Sequence, residues 1–180
     1  MFALRSLLTI AALAALLLPG AARAADLPQS VRASGYELSQ VGQGRLTWLG
    51  FGIYEASLWT PDGRFEDFKP GQPVALTLWY ERRFSRTQLI DITSGEWERL
   101  ALARPEQRAT WAKALNELWR DVARGDNMTA VVIPGGETRF YDRDGLVGTV
   151  TDPAFGPAYL RIWLDSRSAV RDLRVALLGG

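Results

Sequence analysis

Residues 80–84 read Tyr-Glu-Arg-Arg-Phe and run straight into Ser85, three positions ahead of Gln88. Arg82 and Arg83 thus end an apolar segment beside an expected helix N-terminus. A guanidinium fork and the free N–H groups of a first helical turn both suit a carboxylate or a phenolate. The same arginines equally suit a solvated strand end, paired with Glu81 or Asp91. Asp91, Glu96 and Glu98 are the other close carboxylates. On a helix, 96 and 98 point apart, which favours a solvated face over a paired acid site. The chain has no histidine and no cysteine. That removes the usual base near neutral pH, the commonest metal ligand, and both Ser-His-Asp and Cys-His chemistry. Catalysis would fall to Asp, Glu, Tyr, Lys or Arg, and neither a metal nor a cofactor is expected.

The aromatic side chains that would surround such a site lie in residues 46–59, LTWLGFGIYEASLW, where Glu55 alone is charged. The stretch is too short to span a bilayer as a helix. Its aromatic content and two glycines indicate a strand or strand pair, buried on much of both faces. It is either the spine of a core or the wall of an apolar pocket.

Residues 1–24 have the form of a secretory signal: Arg5, an apolar run over 7–18, Pro19-Gly20, then Ala22-Arg23-Ala24 with cleavage before Ala25. Periplasmic or secreted localisation is the expectation, with residues 25–180 as one domain and no transmembrane segment in the mature chain. Without Arg5 and Arg23, 19 basic residues face 20 acidic ones, which calls for neither nucleic acid nor an anionic surface. Arg124-Gly125-Asp126 and Gly42-x-Gly44 carry no function in this reading. The first sits at an expected helix end, and the second lacks the lysine and helix of a phosphate loop.

Weak alternation over 31–41 predicts an edge strand, Gly42-Gln43-Gly44 a turn, and Pro61-Asp62-Gly63 another. Alternation over 74–80 predicts a strand. The Ser85/Gln88 capping box opens a helix carrying Leu89, Thr93 and Trp97. Pro105 opens a second, with Trp111, Leu115, Leu118 and Val122 on one face and Gly125 as its cap. Strands follow at 128–133, 137–141 and 146–150, separated by Gly135-Gly136 and Asp144-Gly145. Asp152-Pro153 begins a helix with Phe155, Tyr159 and Ile162 on one face, and Ser168 a last helix through Leu177. The order predicts an α+β fold, an antiparallel sheet covered on one side by helices.

Four markers in this order, GQGRLTWLGFGIYEASLW (42–59), YERRFSRTQLID (80–91), the glycine-punctuated strands of 125–145, and DPAF…YLRIWLD (152–165), resemble the chalcone isomerase-like superfamily, in its bacterial secreted branch. The resemblance implies an open-faced β-sandwich. It also implies a cleft between sheet and helices, used by flavonoid-cyclising enzymes and by non-catalytic fatty-acid binders. Matched residue by residue, the enzymes' Thr, Tyr and Asn fall at Leu49, Phe84 and Asp91. Leu49 and Phe84 have no hydroxyl to orient a water or meet a ketone oxygen. The family's anion-binding Arg aligns with Leu46, beside Arg45, and neighbours along a strand face opposite ways.

The expectation is a non-catalytic protein that binds a small apolar or anionic amphipathic ligand, such as a fatty acid. Trp48, Phe51, Tyr54, Tyr80 and Phe84 would contact it, and one of Arg45, Arg82 and Arg83 would meet its charged end. Two alternatives stay open. One is an isomerase or intramolecular lyase with a non-standard site, built on Tyr54 or Tyr80 with an arginine. The other is a structural or interaction protein whose cleft its own side chains fill.

Overall fold

A computed structural model describes residues 26–180 of the chain; the signal segment expected at residues 1–24 lies outside them. Six strands form one antiparallel sheet in sequence order: β1 (Ser39–Trp48), β2 (Phe51–Thr60), β3 (Val74–Tyr80), β4 (Asn127–Val132), β5 (Thr138–Asp142) and β6 (Gly145–Val150). A short helix α1 (Gln29–Ala33) precedes them. Helices α2 (Arg86–Arg99) and α3 (Pro105–Leu118) separate β3 from β4, and α4 (Phe155–Leu164) and α5 (Arg171–Leu177) close the chain. The fold is α+β, as the alternation of strand and helix periods predicts. No helix among the described residues is long and apolar enough to cross a membrane.

Both faces of the central strands are covered. On one face Ala56, Leu58, Leu76, Leu78, Ala130, Val132 and Phe140 meet Trp97, Trp111, Leu115 and nearly the whole of α4. On the other, Leu27 and Val31 of the N-terminal segment seat on Trp59, Ala75, Val131 and Tyr141. This two-sided cover accounts for the unbroken burial of the C-terminal half of β2. Its N-terminal half and the tip it shares with β1 leave the cover, and Trp48, Leu49 and Phe51 stand 64%, 75% and 70% exposed.

The local departures from the sequence reading have physical causes. Residues 31–33 are helical, because Pro28 offers its carbonyl to the N–H groups of Val31 and Arg32 (3.0 and 3.1 Å). The second helix stops at Leu118, and Val122 instead pairs with Phe84 across two backbone hydrogen bonds of 2.9 and 3.0 Å. The last helix begins at Arg171 rather than Ser168, whose hydroxyl donates to the Ile162 carbonyl at 2.8 Å and ties the α4–α5 connection.

Gly42 and Gly44 make no turn; they lie within β1, paired with Leu58 and Ala56. A Cβ on Gly42 would stand 2.2 Å from the Ala176 carbonyl oxygen and 2.7 Å from that of Leu177. Gly44 meets the Leu173 and Ala176 side chains in the same way. The pair lets α5 lie directly on the edge strand. Gly42→Ala therefore forces a methyl against the backbone carbonyls at the end of α5 and will destabilise the protein by about 1–3 kcal/mol, read as a lowered urea midpoint.

Asp165, at the C-terminal end of α4, accepts from the Arg167 backbone N–H (2.8 Å) and from its guanidinium (2.9 Å). The Arg167 hydrogen bonds hold its carboxyl down at about 2, against the opposing effect of burial. A depressed folded-state value contributes stability above the unfolded-state value of about 3.9 and loses it as pH falls toward the folded one. Asp165→Asn should lower the urea midpoint at pH 7, and the gap to the parent should close between about pH 4 and pH 2.

Candidate functional site

The inward face of β2 and β3 carries Tyr54, Leu78 and Tyr80, and across from them α4 presents Tyr159, Ile162 and Trp163. The two layers do not close on each other here. A cavity of about 210 Å³ lies between them, walled also by Leu46 and Ile53 of the β1–β2 hairpin, Leu89 and Thr93 of α2, and Trp119. A dry engineered cavity of about 150 Å³ already admits benzene, so this space takes at least a ring or a short chain.

A register shift in the β1–β2 pairing sets the geometry. Leu46 pairs with Tyr54 and Thr47 with Gly52, leaving Ile53 as an extra residue. The bulge brings both Ile53 and Tyr54 to the cavity wall, where strict alternation would send one of them outward. Phe84 is held over the cavity by its backbone pairing with Val122, one residue before the capping box of α2.

The polar groups inside are few. The Trp163 indole donates to the Tyr54 hydroxyl at 2.9 Å, which leaves the Tyr54 proton available to another acceptor. No hydrogen bond joins the Tyr80 or Tyr159 hydroxyl to a described residue, and both rings are nearly fully buried. The buried Trp119 indole N–H likewise has no partner. Burial, opposed by the Trp163 hydrogen bond, pushes the Tyr54 phenol up to about 12. Burial, then the neighbouring phenols, raises Tyr80 and Tyr159 as well. All three stay protonated at neutral pH. They can donate hydrogen bonds but cannot serve as bases.

Among the described residues Glu96 is the one charged side chain in the wall, and Arg99 holds it at 2.6 Å. None of the described arginines lines the cavity. Arg45 forks onto Glu81 on the outer face of the sheet, and this bond, against the opposing effect of burial, holds the Glu81 carboxyl below the usual range. The pair lies where a Gly52 side chain would stand. Arg82 and Arg83 are exposed at the end of β3, Arg82 against the Phe84 ring (5.8 Å).

The structure thus brings together Tyr54, Tyr80 and Phe84 of the residues singled out from sequence. It places Trp48 and Phe51 at the exposed hairpin tip, because the chain reverses at Leu49-Gly50 with φ of +49° and +81°. Asp91 is exposed and Leu49 sits in that turn, so neither position reaches the cavity. Sequence reading missed Leu78, Tyr159 and Trp163. Tyr159 and Trp163 are four residues apart on a helix, one turn on the same face, and that spacing was the available signal. A shallow depression lined by Arg45, Arg171 and Asp172 shares Leu46, Ala169 and Val170 with the cavity; Arg45 is held by Glu81, which leaves Arg171 as the cation beside the mouth.

A family model described as chalcone isomerase-like matches residues 21–179. Among solved structures, a fatty-acid binding protein of Arabidopsis thaliana superposes with a TM-score of 0.58 at 11% identity, over 79% of this chain and 87% of that one. At that identity the likeness establishes the fold. A search of curated proteins finds no match.

Proposed function

The chain belongs to the chalcone isomerase-like family, and we propose that it is an exported, non-catalytic binder of a small apolar or amphipathic molecule held between its sheet and its helices. The observation that carries this reading is the unfilled apolar cavity with donors that no protein group satisfies. Buried polar groups normally find partners. The Tyr80 and Tyr159 hydroxyls find none in the described residues, and an occupant carrying an uncharged oxygen would supply one.

Cation-free walls bear on the head group. An ionised carboxylate inside would lack a counter-charge, whereas at the mouth it would stand near Arg171. A fatty acid therefore fits with its carboxyl protonated inside or its carboxylate at the mouth. The fatty-acid binding protein of like fold supports the choice of ligand class. The non-catalytic reading is supported by Phe84 at the cavity wall without a hydroxyl, by phenols too weakly acidic to act as bases, and by Glu96 held on Arg99. The leader at residues 1–24 supports export, and an exported protein beginning at Ala25 is the check.

Delipidated protein titrated with a fluorescent long-chain alcohol and the matching acid tests the reading. Saturable one-to-one binding, displaced by unlabelled ligand and weaker for the ionised acid, is expected. Absence of saturable binding to either probe would overturn it.

A further inference from the structure

Trp48, Leu49 and Phe51 have no role in holding this fold together. They are 64%, 75% and 70% exposed at the tip of the β1–β2 hairpin. Leu49 is also conformationally ill suited to its place. Its φ of +49° precedes Gly50 at +81°, the two left-handed positions of a tight hairpin turn. Asn or Gly is the residue such a turn favours, and a leucine there is both strained and water-exposed. Neither backbone nor packing explains an apolar tip.

Its surroundings indicate what it meets. The bond from Glu81 N to the Ile53 carbonyl (3.0 Å) and that from Gly125 N to the Tyr80 carbonyl (2.8 Å) put residues 81–83 and 124–125 on the sheet end from which the hairpin projects. Among the described residues no ion pair engages Arg82 or Arg83, while Arg124 lies within electrostatic reach of Glu81. Two residues behind the tip on either strand, Leu46 and Ile53 wall the cavity, and Ile92 on the same wall is itself 58% exposed. A narrow apolar point with a tryptophan, backed by unpaired guanidiniums, has the chemistry of an interfacial anchor: indole at the headgroup level, apolar side chains below it, cations on anionic phosphates.

We propose that the 48–51 tip inserts into the surface of an anionic lipid bilayer and brings the cavity mouth to that surface. The anchor stands whatever the cavity holds, so loss of probe binding in the titration above leaves it untouched.

The full chain after leader removal is sedimented with vesicles of phosphatidylcholine alone and of phosphatidylcholine mixed with phosphatidylglycerol. The protein should pellet with the mixed vesicles, and less so in high salt. The W48S/L49N/F51S variant should lose more than about tenfold in partitioning, since three apolar side chains no longer leave water. R82Q/R83Q should keep the tip but lose the preference for anionic vesicles. The chain has no cysteine, so Leu49→Cys carries a single environment-sensitive dye, whose emission should shift to the blue on vesicles. Leu49→Asn alone should unfold at or above the parent midpoint, which separates lost docking from lost folding. Equal pelleting of parent and tip variant would overturn the proposal, as would failure of the parent to bind either vesicle. Concentration-dependent dimerisation abolished by the tip variant would overturn it in favour of a second copy of this chain.

Discussion

Phe155→Ala will cost about 3–5 kcal/mol of stability. Phe155 is fully buried at the first turn of α4. Its ring centroid lies 5.5 Å from that of Trp111, 5.7 Å from those of Trp97 and Tyr159, and 6.0 Å from that of Phe140. Those four rings belong to α3, α2, α4 and β5, so one side chain joins most of the helical layer to the sheet. The approach is fixed from both sides. Trp111 donates its indole N–H to Asp152 at 2.8 Å, and the same carboxylate accepts the Ala154 N–H at 2.9 Å just before the helix. Gly156 lets α4 come down on Thr138 and Val132, where a Cβ would stand 2.4 and 2.5 Å away. A structure anchored at both ends collapses poorly into a hole, and poor collapse puts the cost at the upper end of the range. Phe155→Leu, which keeps most of the volume, should cost only about 1–2 kcal/mol. Denaturant unfolding followed by tryptophan fluorescence reads both. A loss below about 2 kcal/mol for the alanine variant would mean that the aromatic cluster is not the joint between layers.

Much of this architecture was legible because it depends on short-range patterns. The Ser85/Gln88 capping box forms as read, Pro105 starts its helix, and the last hairpin turns at Arg143-Asp144, one residue before the expected Asp144-Gly145. What was hidden depends on partners distant in the chain. Gly42 and Gly44 resemble a turn in isolation; only the arrival of α5, more than a hundred residues later, makes them a packing surface. The 46–59 stretch reads as one apolar segment because left-handed turn residues are normally Asn or Gly, and Leu49 gives no such signal. The candidate site was legible in half. Tyr54 and Tyr80 follow from alternation once the core face is known. Which arginine faces inward does not follow, because the register shift at Ile53 separates the parity of the tip from that of the strand. The absence of any arginine from the cavity is a property of the folded register, and the sequence places several candidates within a few residues of it.

Leu78→Trp should abolish ligand binding while leaving the fold almost unchanged, and the contrast decides between a working cavity and a core that merely packs badly. Leu78 sits on the inward face of β3, opposite Ala56 and Met128, with its far side on the open cavity. An indole there extends into empty space rather than into neighbours. Enlarging a residue in a filled core costs about 1–3 kcal/mol through forced rotamers and backbone shifts. Here the added atoms gain contacts, so the unfolding free energy should change by less than about 1 kcal/mol. The probe, sharing the same space, should lose affinity about a hundredfold or more, equivalent to ~2.8 kcal/mol. If the cleft is instead closed by its own side chains in solution, the outcome inverts: the variant loses 1–3 kcal/mol of stability, roughly the overpacking cost, and there is no binding to remove. Isothermal titration and denaturant unfolding of the same preparation separate the two. Tyr80→Phe and Tyr159→Phe then locate the polar end of the ligand. Each removes one hydroxyl without changing shape, so an oxygen-bearing probe should weaken by ~0.5–1.5 kcal/mol and a pure hydrocarbon of the same length should not.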